Sequence, residues 1–177
     1  GEVRVLYRAT GTEQWWSSGW EPVDPAADFT RQFELIKLEP GTRYELQVES
    51  RTAEGGEAGE SLVGGFVTAP RRRDAARVVF TVSTGQMFDD RDGEHGFDIY
   101  PAMLKLEPSF FVHTGDIVYY DRLAKTPALA HYHWQRTYSL PTNVEFHRQV
   151  ASYFEKDDHD TLVDDCWPTM DLSLIHI

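Results

Sequence analysis

The sequence predicts two domains of different fold class: an incomplete β-sandwich, followed by a truncated α/β domain. Residues 1–70 consist of short apolar segments separated by turn residues, which is typical of antiparallel β structure. Residues 78–177 alternate strand-like apolar runs with helical patterns, which is typical of a parallel sheet. Residues 71–77 combine basic and small side chains, and this change of composition predicts a linker between the two domains.

Composition and charge exclude several classes of function. The chain of 177 residues has enough apolar side chains to bury a core. It contains no apolar run long enough for a membrane span. The formal net charge of −12 argues against a nucleic-acid backbone as partner, because neutralising phosphates requires a basic surface. Cys166 is the single cysteine, so an intrachain disulfide is excluded, and the composition indicates no oligomeric state.

The elements predicted in the first region are strands. VRVLYR alternates Val3, Val5 and Tyr7 with other side chains, the period of a strand that buries one face. Four further strands are predicted in the segments QWWSSGWEPV, DFTRQFELIKL, RYELQVESR and SLVGGFVTA. The separators ATGTE, DPAA, EPG and AEGGEAGE are rich in turn-forming residues. This spacing of short strands and turns predicts a sandwich.

A corner motif connects this region to a known family. LEPGTRY, from Leu38 to Tyr44, resembles the signature of fibronectin type III and immunoglobulin-like domains, in which a tyrosine marks a corner into a strand. The resemblance implies that the strands of residues 1–70 are the last five of seven. We therefore expect this region to be the C-terminal part of such a sandwich.

Three tryptophans of this region have two possible interpretations. Trp15, Trp16 and Trp20 could form a platform for binding sugars, or they could pack on the core and edge of the sandwich. The second use of tryptophan is the commoner one.

The elements of the second region predict a βαβ unit. VVFTVST and SFFVHTGD are continuous apolar runs typical of buried strands, and FDIYPAMLKLEP between them has a helical pattern. The two strands are therefore expected to be parallel and to end at one sheet edge, where α/β proteins bind ligands. TPALAHYHWQRTYSL and TNVEFHRQVASYF predict two more helices, the second capped by Thr142 or Asn143.

Two acidic segments follow apolar elements at this predicted edge. Asp116 ends the second strand directly after Gly115, which lets the backbone turn tightly. KDDHD places three carboxylates and a histidine in residues 157–160, a concentration of charge that requires a cation or water to reduce repulsion. Taken alone, each segment could be an ordinary turn or a solvated loop. Taken together, they predict a metal site.

The two segments resemble the calcineurin-like metallophosphoesterases, and within them the PhoD-like alkaline phosphatases. GDIVYYD matches the family's Gly-Asp followed by a tyrosine three residues later, and YFEKDDHD matches its aromatic residue followed by Asp-Asp-His and an acid. The resemblance implies hydrolysis of small phosphate mono- or diesters by attack of a metal-bound hydroxide. It also implies a periplasmic or extracellular location.

The resemblance implies a role for each matched residue. Asp116 corresponds to the carboxylate that bridges two metal ions, Tyr119 to a phenolate ligand that favours a ferric ion, and Asp158 to a metal-binding acid. His159 corresponds to the histidine that faces the scissile phosphate, and Asp160 to the acid that orients it. The implied cofactors are two metal ions, Fe³⁺ together with Ca²⁺, Zn²⁺ or Mn²⁺.

One position departs from the family pattern. Where family members have Asp-x-His or a Ser-Cys segment after the first catalytic strand, residues 84–86 are Thr-Gly-Gln. Gln86 is the candidate metal ligand at this position through its carbonyl oxygen. Asp89 and Asp90, from the following loop, are the alternatives. We expect this fragment alone to be inactive, because later ligands of the family would lie beyond residue 177.

Two other functions are compatible with parts of the sequence. The departure at residues 84–86 is compatible with a non-catalytic binding protein that has a degenerate phosphoesterase fold, and this is the alternative to the enzyme. Histidine-bearing segments further along the gene would favour the enzyme over this binder. Glycoside hydrolysis by two carboxylates would fit the acidic loops, but it gives no reason for Tyr119 and His159.

Overall fold

The computed structural model of the chain describes residues 1–52, 55–119, 121 and 123–160. It divides the chain into two compact units, Gly1–Arg77 and Val78–Ile177. Among the described helices, none is long and apolar enough to cross a bilayer. Cys166 and the rest of residues 161–177 lie outside the described residues.

The first unit contains an antiparallel sheet of five strands. The strands are β1 (Glu2–Ala9), β2 (Trp16–Ser17), β3 (Glu21–Pro22), β4 (Arg43–Arg51) and β5 (Ser61–Val67). β1 pairs with β4 along one edge and with the short strands β2 and β3 along the other, and β5 pairs with β4. Val5 and Tyr7 of β1 are buried, as their alternation predicts.

The predicted tyrosine corner forms at the start of β4. Tyr44 is buried and its ring stacks on Phe66, with 5.5 Å between the ring centroids. The backbone amide of Glu39 donates a hydrogen bond of 2.8 Å to the Tyr44 hydroxyl, which closes the turn that precedes the strand. The described residues of this unit form one sheet and not two facing sheets, so the fibronectin type III-like sandwich stays a prediction.

The strand predicted for residues 28–38 is wrong. Asp28 and Phe29 have φ angles of 54° and 55°, in the left-handed region that interrupts an extended strand. Phe29 and Ile36 are 60% and 54% exposed, whereas Phe33, Leu35 and Leu38 are partly buried. The Tyr7 hydroxyl donates a 3.1 Å hydrogen bond to the Ile36 carbonyl. Despite its apolar spacing, the segment pairs with no strand of the described chain.

The tryptophans of the first unit stack on cations. The Trp20 ring contacts two guanidinium groups, with the carbon of Arg4 at 4.5 Å and that of Arg51 at 4.3 Å from its centroid. Trp15 stacks in the same way under Arg8 and Trp16 under Lys37. These contacts support the packing interpretation over a sugar-binding platform, because at least one face of each ring already packs against a cation of the protein.

The second unit contains a parallel sheet of three strands. Their order in the sheet is β6 (Phe80–Ser83), β7 (Phe110–His113) and β8 (Ser152–Phe154). Helix α1 (Ile99–Leu104) connects β6 to β7, and helices α2 (Pro127–Tyr138) and α3 (Pro141–His147) connect β7 to β8. The parallel pairing predicted for the βαβ unit is confirmed, and the carboxyl ends of the three strands lie at the same edge.

The third strand replaces the end of a predicted helix. TNVEFHRQVASYF was expected to be helical throughout, but α3 ends at His147 and residues 152–154 pair with β7. The helix also begins at Pro141, with Leu140 as its N-cap and no side-chain capping bond, so neither predicted capping residue caps it. A short apolar segment fits helix and strand equally well, and pairing with the central strand decides between them.

An aromatic core fixes the helices on one face of the sheet. Tyr100 of α1, Phe111 of β7 and Phe146 of α3 are each at most 1% exposed, and their rings lie in mutual contact at 5.0 to 6.1 Å. Burial of each such side chain contributes about 1.5–3 kcal/mol. This packing holds the carboxyl end of β7 in a defined position. The other buried members of the cluster are Phe97, Met103, Leu140 and Val150.

The opposite face of the three-stranded sheet carries exposed apolar side chains. Phe80, Val82 and Tyr153 are 57%, 51% and 62% exposed. The Phe110 ring lies between two of them, at 5.3 Å from the Phe80 ring and 5.9 Å from the Tyr153 ring. Among the described residues, this face therefore has aromatic neighbours within the sheet but no covering layer.

Candidate metal centre

The chain leaves β7 through a turn that only a glycine can make. Gly115 has a φ of 101°, and a Cβ at this position would lie 2.4 Å from the Cβ of Asp157. The absence of a side chain therefore allows residues 157–160 to approach the end of the strand. Asp116 follows with a φ of 56°, also in the left-handed region.

Asp160 joins the segment after β7 to the DDHD segment. Its carboxylate is fully buried, and one oxygen accepts hydrogen bonds from the backbone amides of Ile117 at 2.6 Å and Val118 at 3.1 Å. The other oxygen accepts a 3.3 Å bond from the amide of Asp157. Burial raises the pKa of Asp160 above its ordinary value, although the three amides act in the opposite direction. Its role in orienting His159 stays a prediction.

Three of the predicted site residues converge at this edge of the sheet. Asp116, Asp158 and His159 each offer one possible ligand atom, and these atoms lie within 4.8 Å of one another. Asp116 comes from the turn after β7, and the other two come from a short 3-10 helix, Asp158–Asp160. The two acidic segments expected to share a cation therefore do lie together.

The donor set of this cluster fits a hard cation. One oxygen of Asp116 is buried and has no hydrogen-bond partner among the described residues, whereas the other accepts a 3.0 Å bond from the Tyr119 hydroxyl. A buried carboxylate oxygen without a partner is costly, and a bound cation would remove that cost. Carboxylate, phenol and imidazole are ligands for iron, zinc and manganese, and carboxylate and phenol also supply the oxygen that calcium prefers.

Tyr119 is held as a neutral phenol by its surroundings. Burial, the hydrogen bond to Asp116 and the negative charges of Asp116, Asp160 and Asp158 raise the pKa of Tyr119 to about 12. A phenolate ligand at this position therefore requires a positive charge beside it. A Cβ on Gly85 would lie 3.3 Å from the Tyr119 hydroxyl, so the loop after β6 also approaches the site.

His159 has a carboxylate partner that the motif comparison did not assign. Its Nδ1 lies 3.2 Å from an oxygen of Asp121, whose side chain is 3% exposed. Burial acts to lower the pKa of His159, but the hydrogen bond to Asp121 and the charges of Asp121, Asp116 and Asp158 outweigh it and raise the pKa. The signal was present in GDIVYYD, because Asp121 follows Tyr119 by two residues, but no spacing rule connects it to His159.

Gln86 lies beside the site with its side-chain oxygen already hydrogen-bonded. Its backbone amide donates a 2.8 Å bond to the carbonyl of Asp116, which ties the loop after β6 to the turn after β7. Its side-chain oxygen accepts a hydrogen bond from the Tyr100 hydroxyl. Burial raises the pKa of Tyr100, so this hydroxyl remains a donor. Gln86 as a metal ligand therefore stays a prediction that would need its oxygen to be shared.

The alternative ligands from the following loop point toward water or are bound elsewhere. The Asp89 side chain is 74% exposed and lies 3.9 Å from Arg91. Asp89 and Asp90 belong to a 3-10 helix, Phe88–Asp90, whose residues are not buried. Neither carboxylate belongs to the group formed by Asp116, Asp158 and His159.

Comparisons with known proteins give structural neighbours only. No protein-family model matches the sequence, and no curated protein matches it. A solved structure of PhoD is similar over 89% of this chain and 32% of its own length, with a TM-score of 0.70 and 19% sequence identity. A purple acid phosphatase from yellow lupin (Lupinus luteus) seeds is similar over 95% of this chain and 31% of its own length, with a TM-score of 0.60 and 16% identity.

These similarities agree with the sequence motifs. The chain spans about a third of the length of the solved structures that it matches. The resemblance to PhoD-like phosphoesterases, drawn from GDIVYYD and YFEKDDHD, is confirmed at the level of the fold. The chain shares its fold with part of PhoD and part of a purple acid phosphatase.

Proposed function

We propose that this chain is part of a metal-dependent phosphoesterase that hydrolyses phosphate mono- or diesters, as PhoD-like alkaline phosphatases do. The observation that carries the proposal is the meeting of Asp116, Asp158 and His159 at the carboxyl edge of a parallel sheet. The motifs that contain these residues resemble those of the same family. The resemblance also supports a periplasmic or extracellular location and a small phosphate ester as substrate.

Asp116, Tyr119 and Asp158 would hold the metal ions. The proposed pair is Fe³⁺ with Ca²⁺, Zn²⁺ or Mn²⁺, and bound ions would supply Lewis-acid activation of water and of the phosphate group. Asp116 is suited to bridging because one oxygen is buried without a partner and the other accepts a bond from Tyr119. Tyr119 would release its proton when a cation binds. Gln86 would contribute its carbonyl oxygen to the first site.

His159 would act on the oxygen of the leaving alcohol. Because Nδ1 faces Asp121, the other ring nitrogen is the one available to donate a proton or a hydrogen bond. Asp121 would keep the ring in that orientation and stabilise its protonated form. Asp160 would act indirectly. Its hydrogen bonds to the backbone after β7 would hold in place the turn that contains His159.

The test separates metal binding from turnover. Metal content and hydrolysis of 4-nitrophenyl phosphate are measured for the full-length protein, with Asp116→Asn and His159→Ala as variants. Asp116→Asn should lose metal, because it removes a charged bridging ligand. His159→Ala should keep metal and lose about 10²–10⁴-fold in rate, the usual contribution of a general acid. Full turnover by both variants would rule out the mechanism.

A second candidate function has one observation in its favour. The oxygen of Gln86 is already hydrogen-bonded to Tyr100, which would weaken the first metal site and fits a non-catalytic binding protein with a degenerate phosphoesterase fold. That protein would bind a phosphate ester without hydrolysing it. Calorimetric binding of 4-nitrophenyl phosphate with no release of nitrophenol, at full metal content, would favour the binder over the enzyme.

A further inference from the structure

A cavity beside the metal centre has mostly apolar walls. It has a volume of about 250 Å³, and Tyr119 and His159 form part of its lining. A molecule in the cavity would therefore lie next to the residues proposed to act on phosphate. The rest of the lining includes the apolar side chains of Met87, Phe88, Val118 and Leu123. Such walls favour a flat apolar group, since desolvation of both surfaces is favourable.

Arg136 of α2 adds one cation to this apolar lining. Its guanidinium carbon lies 4.2 Å from the centroid of the Phe88 ring, so the group is held flat against the cavity wall. Its Nε is buried and has no hydrogen-bond partner among the described residues. A buried N–H without an acceptor is unfavourable, and a ligand oxygen in the cavity would satisfy it. A planar guanidinium matches a carboxylate or phosphate through two parallel hydrogen bonds.

Asp89 also lines the cavity, but it does not cancel the charge of Arg136. The Asp89 side chain is 74% exposed, so water screens it, and it lies 3.9 Å from Arg91. Arg136 forms no ion pair with another described residue. Asp121 is the second carboxylate of the lining, and it lies 3.2 Å from the Nδ1 of His159. Arg136 is therefore the cation of the lining that no described carboxylate pairs with.

We propose that this cavity binds the organic group of the phosphate ester and selects a flat apolar group that carries a carboxylate or a second phosphate, with Arg136 as the specificity-determining residue. The inference rests on the proposed phosphoesterase function. It adds the class of ester, which neither the motifs nor the fold comparison assigns.

The first test measures the cavity without phosphate chemistry. Binding of 4-nitrobenzoate, which has the ring and the anion but no phosphate, is followed by ligand-observed NMR on this chain without added metal. Arg136→Gln should weaken binding by about tenfold or more, because it removes a charge-assisted pair of hydrogen bonds. Binding of the uncharged 4-nitrobenzyl alcohol should be the same in both proteins.

Two further variants make the result specific. Arg91→Gln is the matched control, because the Arg91 guanidinium also lies over the Phe88 ring, at 4.3 Å from its centroid, but does not line the cavity. This variant should leave nitrobenzoate binding unchanged. Met87→Trp should block both probes by filling the cavity. Circular dichroism checks that each variant is folded. No binding of nitrobenzoate to the unaltered chain, or equal weakening by Arg91→Gln, would overturn the proposal.

The second test separates this inference from the proposed function. In the full-length protein, Arg136→Gln should raise KM for 4-carboxyphenyl phosphate by about tenfold and leave KM for phenyl phosphate unchanged. Activity on both esters without this difference would overturn the role of Arg136 alone. Binding of nitrobenzoate through Arg136, with no activity on either ester, would overturn the phosphoesterase and keep the anion-binding cavity.

Discussion

At the scale of single residues, Gly115 determines whether the residues of the candidate metal centre can come together. In the Gly-Asp pair the acid is the candidate ligand, and the glycine allows the DDHD segment to reach it. A Cβ at residue 115 would lie 2.4 Å from the Cβ of Asp157 and 2.9 Å from its backbone nitrogen. Such distances force one of the two segments to move.

Gly115→Ala should therefore destabilise the second unit and weaken metal binding together. The strained φ of 101° and the collision with Asp157 should cost about 1–3 kcal/mol or more in the free energy of unfolding. Urea unfolding followed by circular dichroism measures the loss, and calorimetry measures metal affinity. Gly93→Ala in the same unit is the control, because a Cβ there would meet nothing within 4 Å. Equal effects of the two substitutions would contradict this account.

Part of the metal centre could be predicted from the sequence, for a physical reason. Asp116 and the DDHD segment were identified because each follows an apolar run, and strand ends in a parallel sheet meet at one edge. The approach of Asp121 to His159 was not predictable, since it depends on how the chain turns after Tyr119. The hydrogen bond from Tyr100 to Gln86 was not predictable from the sequence either, because it depends on the packing of α1.

At the scale of elements, a ladder of alternating rings and charges stabilises β1 against its neighbours. The Trp20 ring lies against Arg4 of β1 and Arg51 of β4. Each arginine also forms a 2.6 Å ion pair across the two strands, Arg4 with Glu49 and Arg51 with Glu2. Stacking holds the guanidinium groups in place, so the ion pairs form with less loss of side-chain freedom.

Trp20→Ala should destabilise the first unit by about 1–3 kcal/mol, because it removes two cation–π contacts and the apolar support of two ion pairs. Denaturant unfolding followed by circular dichroism is the measurement. Trp16→Ala is the matched control, since that ring is 42% exposed and contacts a single cation, Lys37. It should cost well under half as much. A larger loss for Trp16 than for Trp20 would show that the ladder adds little.

The apolar pattern of the sequence predicts some of the elements correctly and two of them wrongly. β1, β4, β6 and β7 follow from their apolar patterns, which fit one kind of element. β8 was assigned to a helix and residues 28–38 to a strand, because each pattern fits the wrong element as well as the right one. Only the presence of a partner decides such cases: β8 has β7 beside it, and residues 28–38 have no second sheet in the described chain.

At the scale of the whole molecule, the partly buried His147 makes the stability of the second unit depend on pH. His147 packs among the rings of Tyr100, Phe111 and Phe154, and its Nδ1 lies 2.8 Å from the Ser152 hydroxyl. Burial, and then the charge of nearby His113, lower the pKa of His147 from 6.5 to about 4. The folded state therefore holds this ring neutral where an unfolded chain would protonate it.

The free energy of unfolding should fall as the pH is lowered from about 6.5 to 4. In this window the unfolded chain binds a proton at residue 147 and the folded chain does not, so acid favours unfolding by up to about 3 kcal/mol. Urea unfolding at a series of pH values measures the slope. His147→Gln should flatten it, whereas His95→Gln, at an exposed position of the same unit, should not. An unchanged slope in His147→Gln would assign the acid sensitivity to other groups.

The aromatic face of the three-stranded sheet, which no described layer covers, has a practical consequence. Exposed apolar surface is contributed by Phe80, Val82 and Tyr153, in a chain whose formal net charge is −12. Mutual repulsion keeps such molecules dispersed in dilute buffer, and added electrolyte shortens its range. Purification at high salt concentration would therefore favour aggregation through this face, and a mild detergent should prevent it.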